Sequence, residues 1–121
     1  MIGGVTPILR VEDLEASKRF YTGVLGFKVD WEAPYMISVS RDRAALMLCH
    51  RHQGHAGAWV WFGADDIDLL HAEFTARGAI IRDRPQNFAW AYEMQVEDPD
   101  GHVLRFGGEP KPGARDGVFK A

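Results

Sequence analysis

The chain has 121 residues with a net charge of −3, and 46% of its residues are hydrophobic and 26% are charged. This balance is typical of one folded domain with its own core, and it excludes a disordered chain. There is no block of basic residues and no hydrophobic run near the roughly 20 residues of a membrane helix, so neither nucleic acid nor a membrane is an expected partner.

The first half of the chain predicts a strand, a helix and three further strands. Residues 5–11 form a hydrophobic run that leads to Asp13, a suitable helix N-cap, and Gly26 is suited to end that helix. Pro34 and the polar turn at 41–43 separate the three strands that follow. These strands are predicted over residues 27–31, 35–40 and 44–50.

The second half repeats this order. A strand over residues 58–64 leads to a helix that Asp66 can cap and Gly78 can end. The distance from Asp13 to Gly26 is 13 positions, and the distance from Asp66 to Gly78 is 12. Three further strands are predicted over residues 79–82, 90–97 and 102–107, and Asp98-Pro99-Asp100-Gly101 is a strong turn sequence between the last two.

The predicted fold class is therefore α+β, with two tandem βαβββ modules. We expect a single domain over residues 1–121, with modules at about 5–50 and 58–107. Residues 108–121 contain prolines and glycines and should form a C-terminal arm or a disordered end. The start of the chain lacks a secretory signal pattern and Cys49 is the only cysteine, so we expect a cytoplasmic protein.

Sequence patterns of catalytic chemistry are weak. Three histidines lie beside Cys49, with a spacing that fits no standard zinc site, so a solvated loop is the favoured interpretation: His50, His52 and His55. Three acidic residues at the start of the second helix favour capping rather than catalysis: Asp65, Asp66 and Asp68. There is no Gly-x-Ser-x-Gly elbow and no Walker pattern, and His71 and His102 indicate no role.

Several motifs together resemble the vicinal oxygen chelate superfamily. They are Leu9-Arg10-Val11-Glu12-Asp13-Leu14, then Phe20-Tyr21, Leu25-Gly26-Phe27 and Asp98-Pro99-Asp100-Gly101. That superfamily includes glyoxalase I, extradiol dioxygenases, fosfomycin-resistance enzymes and bleomycin-resistance proteins. The resemblance covers about residues 5–107 and implies the glyoxalase/bleomycin resistance fold, in which cup-shaped mixed sheets carry the site. Because the fold hosts both metalloenzymes and binding proteins, it does not decide the chemistry.

The resemblance also implies where a metal would be held. In the metalloenzymes His, Gln or Glu ligands come from four strands, and the motifs place those positions at Thr6, Met47, Trp59 and Arg105. Threonine is neutral, methionine is a soft thioether, tryptophan offers no lone pair, and arginine repels a cation. We therefore predict no metal site, no cofactor and no catalytic residue.

Loss of all four ligands is most similar to the bleomycin-resistance branch. Further matches are LMLCHRH at 46–52, Trp90-Ala91-Tyr92-Glu93 and Leu104-Arg105-Phe106-Gly107. Proteins of that branch are dimers that bind a flat, basic glycopeptide antibiotic in grooves between subunits and sequester it unaltered. The branch usually has Pro-Trp-Gly where this chain has Ala89-Trp90-Ala91.

The candidate ligand-binding residues are mainly aromatic. Trp59 and Trp61 are two positions apart, so on a strand they share a face, and the resemblance places that face inside the cup. The full set is Trp31, Tyr35, Met47, Trp59, Trp61, Trp90 and Arg105. The alternative for the tryptophans is that they fill a core or a dimer seam. For Arg105 the alternatives are a ligand carboxylate or phosphate, and an ion pair with Glu93, which we favour.

The hypothesis from sequence is thus a metal-free homodimer that binds a planar small molecule, in its sharpest form a bleomycin-type antibiotic. The first alternative is an enzyme of the same superfamily, a lyase, isomerase or dioxygenase-like protein with an unidentified substrate. The second is a protein whose tryptophan-rich face serves only dimerisation.

Overall fold

The computed structural model describes residues 1–114, 116 and 117, and it forms two compact units. The N-terminal unit contains Met1–Ala58 together with Asp98–His102, and the C-terminal unit contains Trp59–Glu97 and the described residues from Val103 onward. Each unit has a four-stranded mixed sheet and a helix, so the α+β prediction with two repeated modules is confirmed. Neither helix in the described part of the chain has the length and hydrophobicity needed to cross a membrane.

In the N-terminal unit, α1 packs on one face of a sheet with strand order β1-β4-β3-β2. The elements are β1 (Ile8–Val11), α1 (Leu14–Arg19), β2 (Lys28–Ala33), β3 (Met36–Arg41) and β4 (Ala44–His50). β1 runs parallel to β4, and the other pairs are antiparallel. Asp13 caps α1 as predicted, because its carboxylate accepts a hydrogen bond of 3.0 Å from the Ala16 N–H.

The first helix is less regular than the sequence predicted. After Arg19 it continues as a π-helix over Phe20–Val24, and the Leu25 N–H donates to the Phe20 carbonyl over 3.1 Å. Within this segment the Thr22 hydroxyl donates to the Lys18 carbonyl over 2.7 Å. A hydroxyl that competes for a helix carbonyl in this way bends or widens the turn.

In the C-terminal unit the same strand order recurs, as β5-β8-β7-β6. The elements are β5 (Trp59–Gly63), α2 (Ile67–Ala76), β6 (Ile80–Asn87), β7 (Tyr92–Glu97) and β8 (Val103–Gly108). Asp66 caps α2 as predicted, and Gly78 follows its end with a φ of 86°. The core beneath α2 is aromatic, since Phe106 stacks on Phe62 at 4.6 Å and meets Phe74 edge-on at 5.2 Å.

Two strands of the C-terminal unit differ from the prediction. β6 extends through Asn87 rather than ending at Arg82, although it contains Pro85. β6 is an edge strand with an irregular register, where a missing N–H is tolerated. β7 begins at Tyr92 rather than Trp90, because the Phe88 N–H donates to the Ala91 carbonyl over 2.8 Å and closes a turn there.

The predicted turn between β7 and β8 is present in the N-terminal unit. The Gly101 N–H donates to the Asp98 carbonyl over 3.0 Å, and Gly101 has a φ of 78° that glycine adopts without strain. The turn also anchors the unit. Asp100 accepts hydrogen bonds from the Glu12 N–H at 2.9 Å and from the Ser17 hydroxyl at 3.3 Å.

His102, for which the sequence indicated no role, is fully buried in the same unit. Its Nδ1 accepts from the Ala58 N–H over 2.9 Å, so its Nε2 carries the proton and donates to the Arg10 carbonyl over 2.6 Å. The imidazole therefore links two backbone segments that are distant in sequence.

Part of the predicted C-terminal arm is anchored to the end of β6. The Asn87 side chain accepts from the Lys111 N–H over 2.8 Å and donates to the Lys111 carbonyl over 2.6 Å. Asp116 forms an isolated parallel bridge with Asn87. Positions 115 and 118–121 of the predicted arm lie outside the described residues.

Candidate functional site

One face of β5 presents two exposed tryptophans. Trp59 is 56% exposed and Trp61 is 51% exposed, whereas Phe62 between the sheet and α2 is buried. The two indoles share a face, as the spacing predicted, and neither fills the core of its unit. The exposed indoles of Trp59 and Trp61 form the tryptophan face of the C-terminal unit.

The position of the Trp61 ring depends on Gly107. A Cβ built on Gly107 would lie 2.7 Å from Cζ2 of the indole and 3.0 Å from Cε2 and Nε1. A Cβ on Gly63 would meet Cζ3 at an ordinary contact distance of 3.4 Å. The ring therefore rests directly on the backbone at Gly107, where no larger side chain fits, and its outer side is accessible.

Arg105 lies beside Trp61, since the two residues are partners in the parallel pairing of β5 and β8. Its Nε and Nη2 donate to the two oxygens of Glu93 over 2.9 and 2.7 Å. This bidentate geometry confirms the predicted ion pair. Glu93 is only 2% exposed and Arg105 is 31% exposed, so the carboxylate lies beneath and the guanidinium reaches the surface.

Trp90 is connected to the same carboxylate. Its Nε1 donates to Oε1 of Glu93, and its ring stacks on Phe88 at 4.9 Å with 9° between the planes. Trp90 lies in the turn before β7 and is exposed. An open groove of about 480 Å³ lies beside it, lined by Asn87, Phe88, Ala89, Trp90, Pro110, Asp116 and Gly117.

Arg82 belongs to the tryptophan face, although it is not among the ligand-binding residues predicted from the sequence. Its guanidinium carbon is 4.8 Å from the centre of the Trp59 ring, and its Nη1 donates to the Gln95 side chain over 3.0 Å. An exposed arginine on an edge strand carries no signal in sequence, because its neighbours depend on strand register.

Another polar group ties α2 to β7. The Tyr92 hydroxyl donates to Asp68 over 2.6 Å, and Lys111 pairs with the same carboxylate. Burial, with the Asp68 hydrogen bond second, raises the pKa of Tyr92 to about 12. The hydrogen bonds from Lys111 and Tyr92 lower the pKa of Asp68. Asp68 thus links α2 to Tyr92 and Lys111, and the capping predicted for the acidic cluster is provided by Asp66.

The remaining predicted ligand residues belong to the N-terminal unit. Strand register places Met47 in one row across the sheet with Ile8, Ser38 and Trp31. Met47 is half-buried and Trp31 is exposed. Tyr35 lies in the turn between β2 and β3 and meets the ring of His52 edge-on at 4.9 Å.

The model of the Glyoxalase/Bleomycin resistance protein/Dioxygenase superfamily matches residues 3–106. The chain belongs to this superfamily. The resemblance drawn from its motifs is thereby confirmed. No match was found among curated proteins.

Solved structures of similar fold come from several organisms. TnmS3, an antibiotic binding protein from Streptomyces sp. CB03234, is 26% identical with a TM-score of 0.77, covering 91% of this chain and 98% of its own. TioX from Micromonospora sp. ML1 is 20% identical with a TM-score of 0.79 and coverages of 88% and 99%. A lactoylglutathione lyase from Agrobacterium tumefaciens is 20% identical with a TM-score of 0.76 and coverages of 88% and 94%. The last two similarities show the fold alone.

The residues at the four positions that the motif resemblance assigns to metal ligands do not fit a divalent cation. Arg105 is engaged with Glu93, the indole of Trp59 has no donor lone pair, and Met47 offers only a thioether. Thr6 precedes β1 and is the fourth position. Within residues 1–114, 116 and 117, no three His, Cys, Asp or Glu side chains lie close enough together to hold a metal ion, and this includes the histidines after β4.

Proposed function

We propose that this protein binds a planar small-molecule antibiotic on its tryptophan face and sequesters it unaltered, without a metal ion. The observation that carries the proposal is the Trp61 ring, which rests on Gly107 and exposes its outer side. Stacking on an aromatic side chain contributes ~1–3 kcal/mol per ring, by analogy with nucleic acid bases. A ring already held in place loses little conformational freedom when the ligand binds.

The similarity to TnmS3 supports an antibiotic as the ligand, because that protein is described as antibiotic binding and is 26% identical over nearly the whole chain. A bleomycin-type glycopeptide is the sharpest form of the proposal and rests on the motifs of the bleomycin-resistance branch. Trp31, Tyr35, Met47 and Trp90 are proposed as further ligand contacts.

We also propose that the protein is a homodimer. Both units expose large aromatic side chains, namely Trp31, Tyr35, Trp59, Trp61 and Trp90. Exposed hydrophobic surface on this scale is typical of ligand or protein interfaces. Size-exclusion chromatography with light scattering should give twice the mass of the chain, and a monomer at all concentrations would contradict the dimer. A cytoplasmic location is proposed on the basis of the single, buried cysteine.

The central experiment is a titration of the purified protein with metal-free bleomycin and with other planar antibiotics, and separately with nickel, zinc and iron. Tryptophan fluorescence and bound metal are measured. We expect saturable quenching by the antibiotic and no stoichiometric metal. Quenching by another planar antibiotic, but not by bleomycin, would reject the bleomycin form alone. Stoichiometric metal binding would contradict the metal-free proposal and favour an enzyme of the superfamily.

A pair of substitutions tests the ring that carries the proposal. Trp61→Ala should weaken antibiotic binding by ~1–3 kcal/mol, while Trp61→Phe, which keeps an aromatic face, should retain part of the affinity. Equal affinity in the native protein and in Trp61→Ala would place the ligand elsewhere.

A further inference from the structure

Glu93 connects Arg105 and Trp90 to the tryptophan face. Its carboxylate accepts hydrogen bonds from Nε and Nη2 of Arg105 and from Nε1 of Trp90. It is also the cross-strand partner of Gly107, on which the Trp61 ring rests. One buried carboxylate therefore holds the Arg105 guanidinium and the Trp90 indole, and its strand partner lies beneath the Trp61 ring.

The outer edge of the Arg105 guanidinium is available to a ligand. Its Nη1 makes no hydrogen bond to any described residue, since both recorded bonds use Nε and Nη2. Among the described residues, no buried side-chain nitrogen or oxygen lacks a partner. The Arg105 side chain is 31% exposed, so its guanidinium reaches the surface. The pairing of Arg105 with Trp61 places this donor next to the exposed ring.

The charge of this donor is already balanced. Glu93 cancels the charge of Arg105 at 2.7 Å, so the outer edge offers N–H donors without a net positive charge. A ligand carboxylate would lose its hydration at this edge, and it would find no unpaired positive charge there to offset that loss. A neutral carbonyl oxygen accepts the same hydrogen bond at a much smaller desolvation cost.

We infer that Glu93 is a positioning residue of the ligand surface, and that the ligand presents a neutral, ring-bound carbonyl oxygen to Nη1 of Arg105. This inference rests on the proposed small-molecule binding and narrows it to planar ligands with such an acceptor. Glu93 sets both the orientation of Trp90 and the charge preference of the surface, without touching the ligand.

The test uses two probes of the same shape, naphthalene carboxamide and naphthalene carboxylate, whose affinities are measured by calorimetry. Glu93→Gln keeps an acceptor for Trp90 but removes the negative charge, which leaves Arg105 uncompensated. We expect the affinity ratio to shift toward the carboxylate by about tenfold relative to the native protein. The double variant Glu93→Gln with Arg105→Met should lose this shift. If Glu93 acts only in folding, Glu93→Gln would weaken the binding of both probes equally.

Glu97→Gln is the matched control, because Glu97 lies on the same strand and pairs with Val103 rather than with Gly107. It removes one negative charge that takes no part in the two hydrogen bonds of Arg105, so its affinity ratio should equal that of the native protein. A shift in Glu97→Gln as large as that in Glu93→Gln, or no shift in either, overturns the inference while leaving small-molecule binding intact. If neither probe binds the native protein, this inference fails, whereas the proposed function is decided separately by the antibiotic titration.

A second variant covers the case in which Glu93→Gln does not fold. Arg105→Lys keeps the positive charge opposite Glu93 but removes the Nη1 donor. The carboxamide should then bind about tenfold more weakly. Unchanged carboxamide affinity in Arg105→Lys overturns the inference.

Discussion

The Trp61 indole lies directly over Gly107, at a separation that leaves no room for a Cβ atom on that glycine. The two residues are on neighbouring parallel strands, and Gly107 is two positions beyond the Arg105 that pairs with Trp61. The glycine thus determines how the exposed ring is presented, although it makes no contact with a ligand itself.

Replacement of Gly107 by alanine should displace the Trp61 ring and weaken ligand binding. The expected loss is ~1–3 kcal/mol, the contribution of one stacked ring. Gly23→Ala is the control, because a Cβ there meets no atom within 4 Å. Binding is measured by fluorescence titration with the antibiotic found in the central experiment, and full affinity in Gly107→Ala would show that the ring position is irrelevant.

The buried hydrogen bond from the Tyr21 hydroxyl to Asp98, at 2.8 Å, should stabilise the N-terminal unit. Tyr21→Phe leaves a buried carboxylate with one partner fewer, so we expect the free energy of unfolding to fall by ~1–3 kcal/mol. Urea denaturation measures this change. Tyr35→Phe is the matched control, since Tyr35 is exposed and its hydroxyl bonds to no described residue. Similar effects of both substitutions would contradict the role of the bond.

His102→Ala should also destabilise the protein, because it removes a buried side chain and leaves the Ala58 N–H and the Arg10 carbonyl without their partner. Together these losses should cost ~2–5 kcal/mol. His55→Ala, at an exposed position, should change stability little. Thermal and urea unfolding distinguish the two, and a neutral His102→Ala would refute the structural role.

The pKa of Tyr92, raised to about 12, predicts a loss of stability at alkaline pH. The pKa of Tyr92 in the folded state lies above its value in the unfolded state, which is about 10 for tyrosine. The contribution of Tyr92 to stability is therefore fully present below the unfolded-state pKa. It is lost as pH rises through the folded-state pKa. Burial also raises the pKa of Tyr21. The contribution of Tyr92 is therefore measured as the difference between the native protein and a Tyr92 variant.

In Tyr92→Phe the free energy of unfolding should therefore decline less steeply above pH ~10 than in the native protein. Denaturation at a series of alkaline pH values measures both slopes. Parallel slopes would mean that Tyr92 does not contribute.

The repeated module could be predicted because its signals are local. Asp13 and Asp66 cap their helices through hydrogen bonds to the N–H three residues ahead, so spacing along the chain was sufficient. The edge strand β6 was underestimated because Pro85 is a strand breaker except at a sheet edge, and edge position is a property of the assembled sheet. The π-helical end of the first helix likewise involves a side-chain bond that no periodicity reveals.

The sequence by itself determined the fold class and the shared face of Trp59 and Trp61, because alternation and capping operate over a few residues. Its motifs indicated the superfamily, by resemblance. The sequence also indicated Arg105 and Glu93 as an ion pair. The tertiary structure decided which residues surround them. Trp90 joins the pair through Glu93, Arg82 covers Trp59, and the Trp61 ring rests on Gly107. The contacts of Arg82 with Trp59 and of Trp61 with Gly107 join residues far apart in sequence, so they depend on the assembled sheet and are invisible to local pattern.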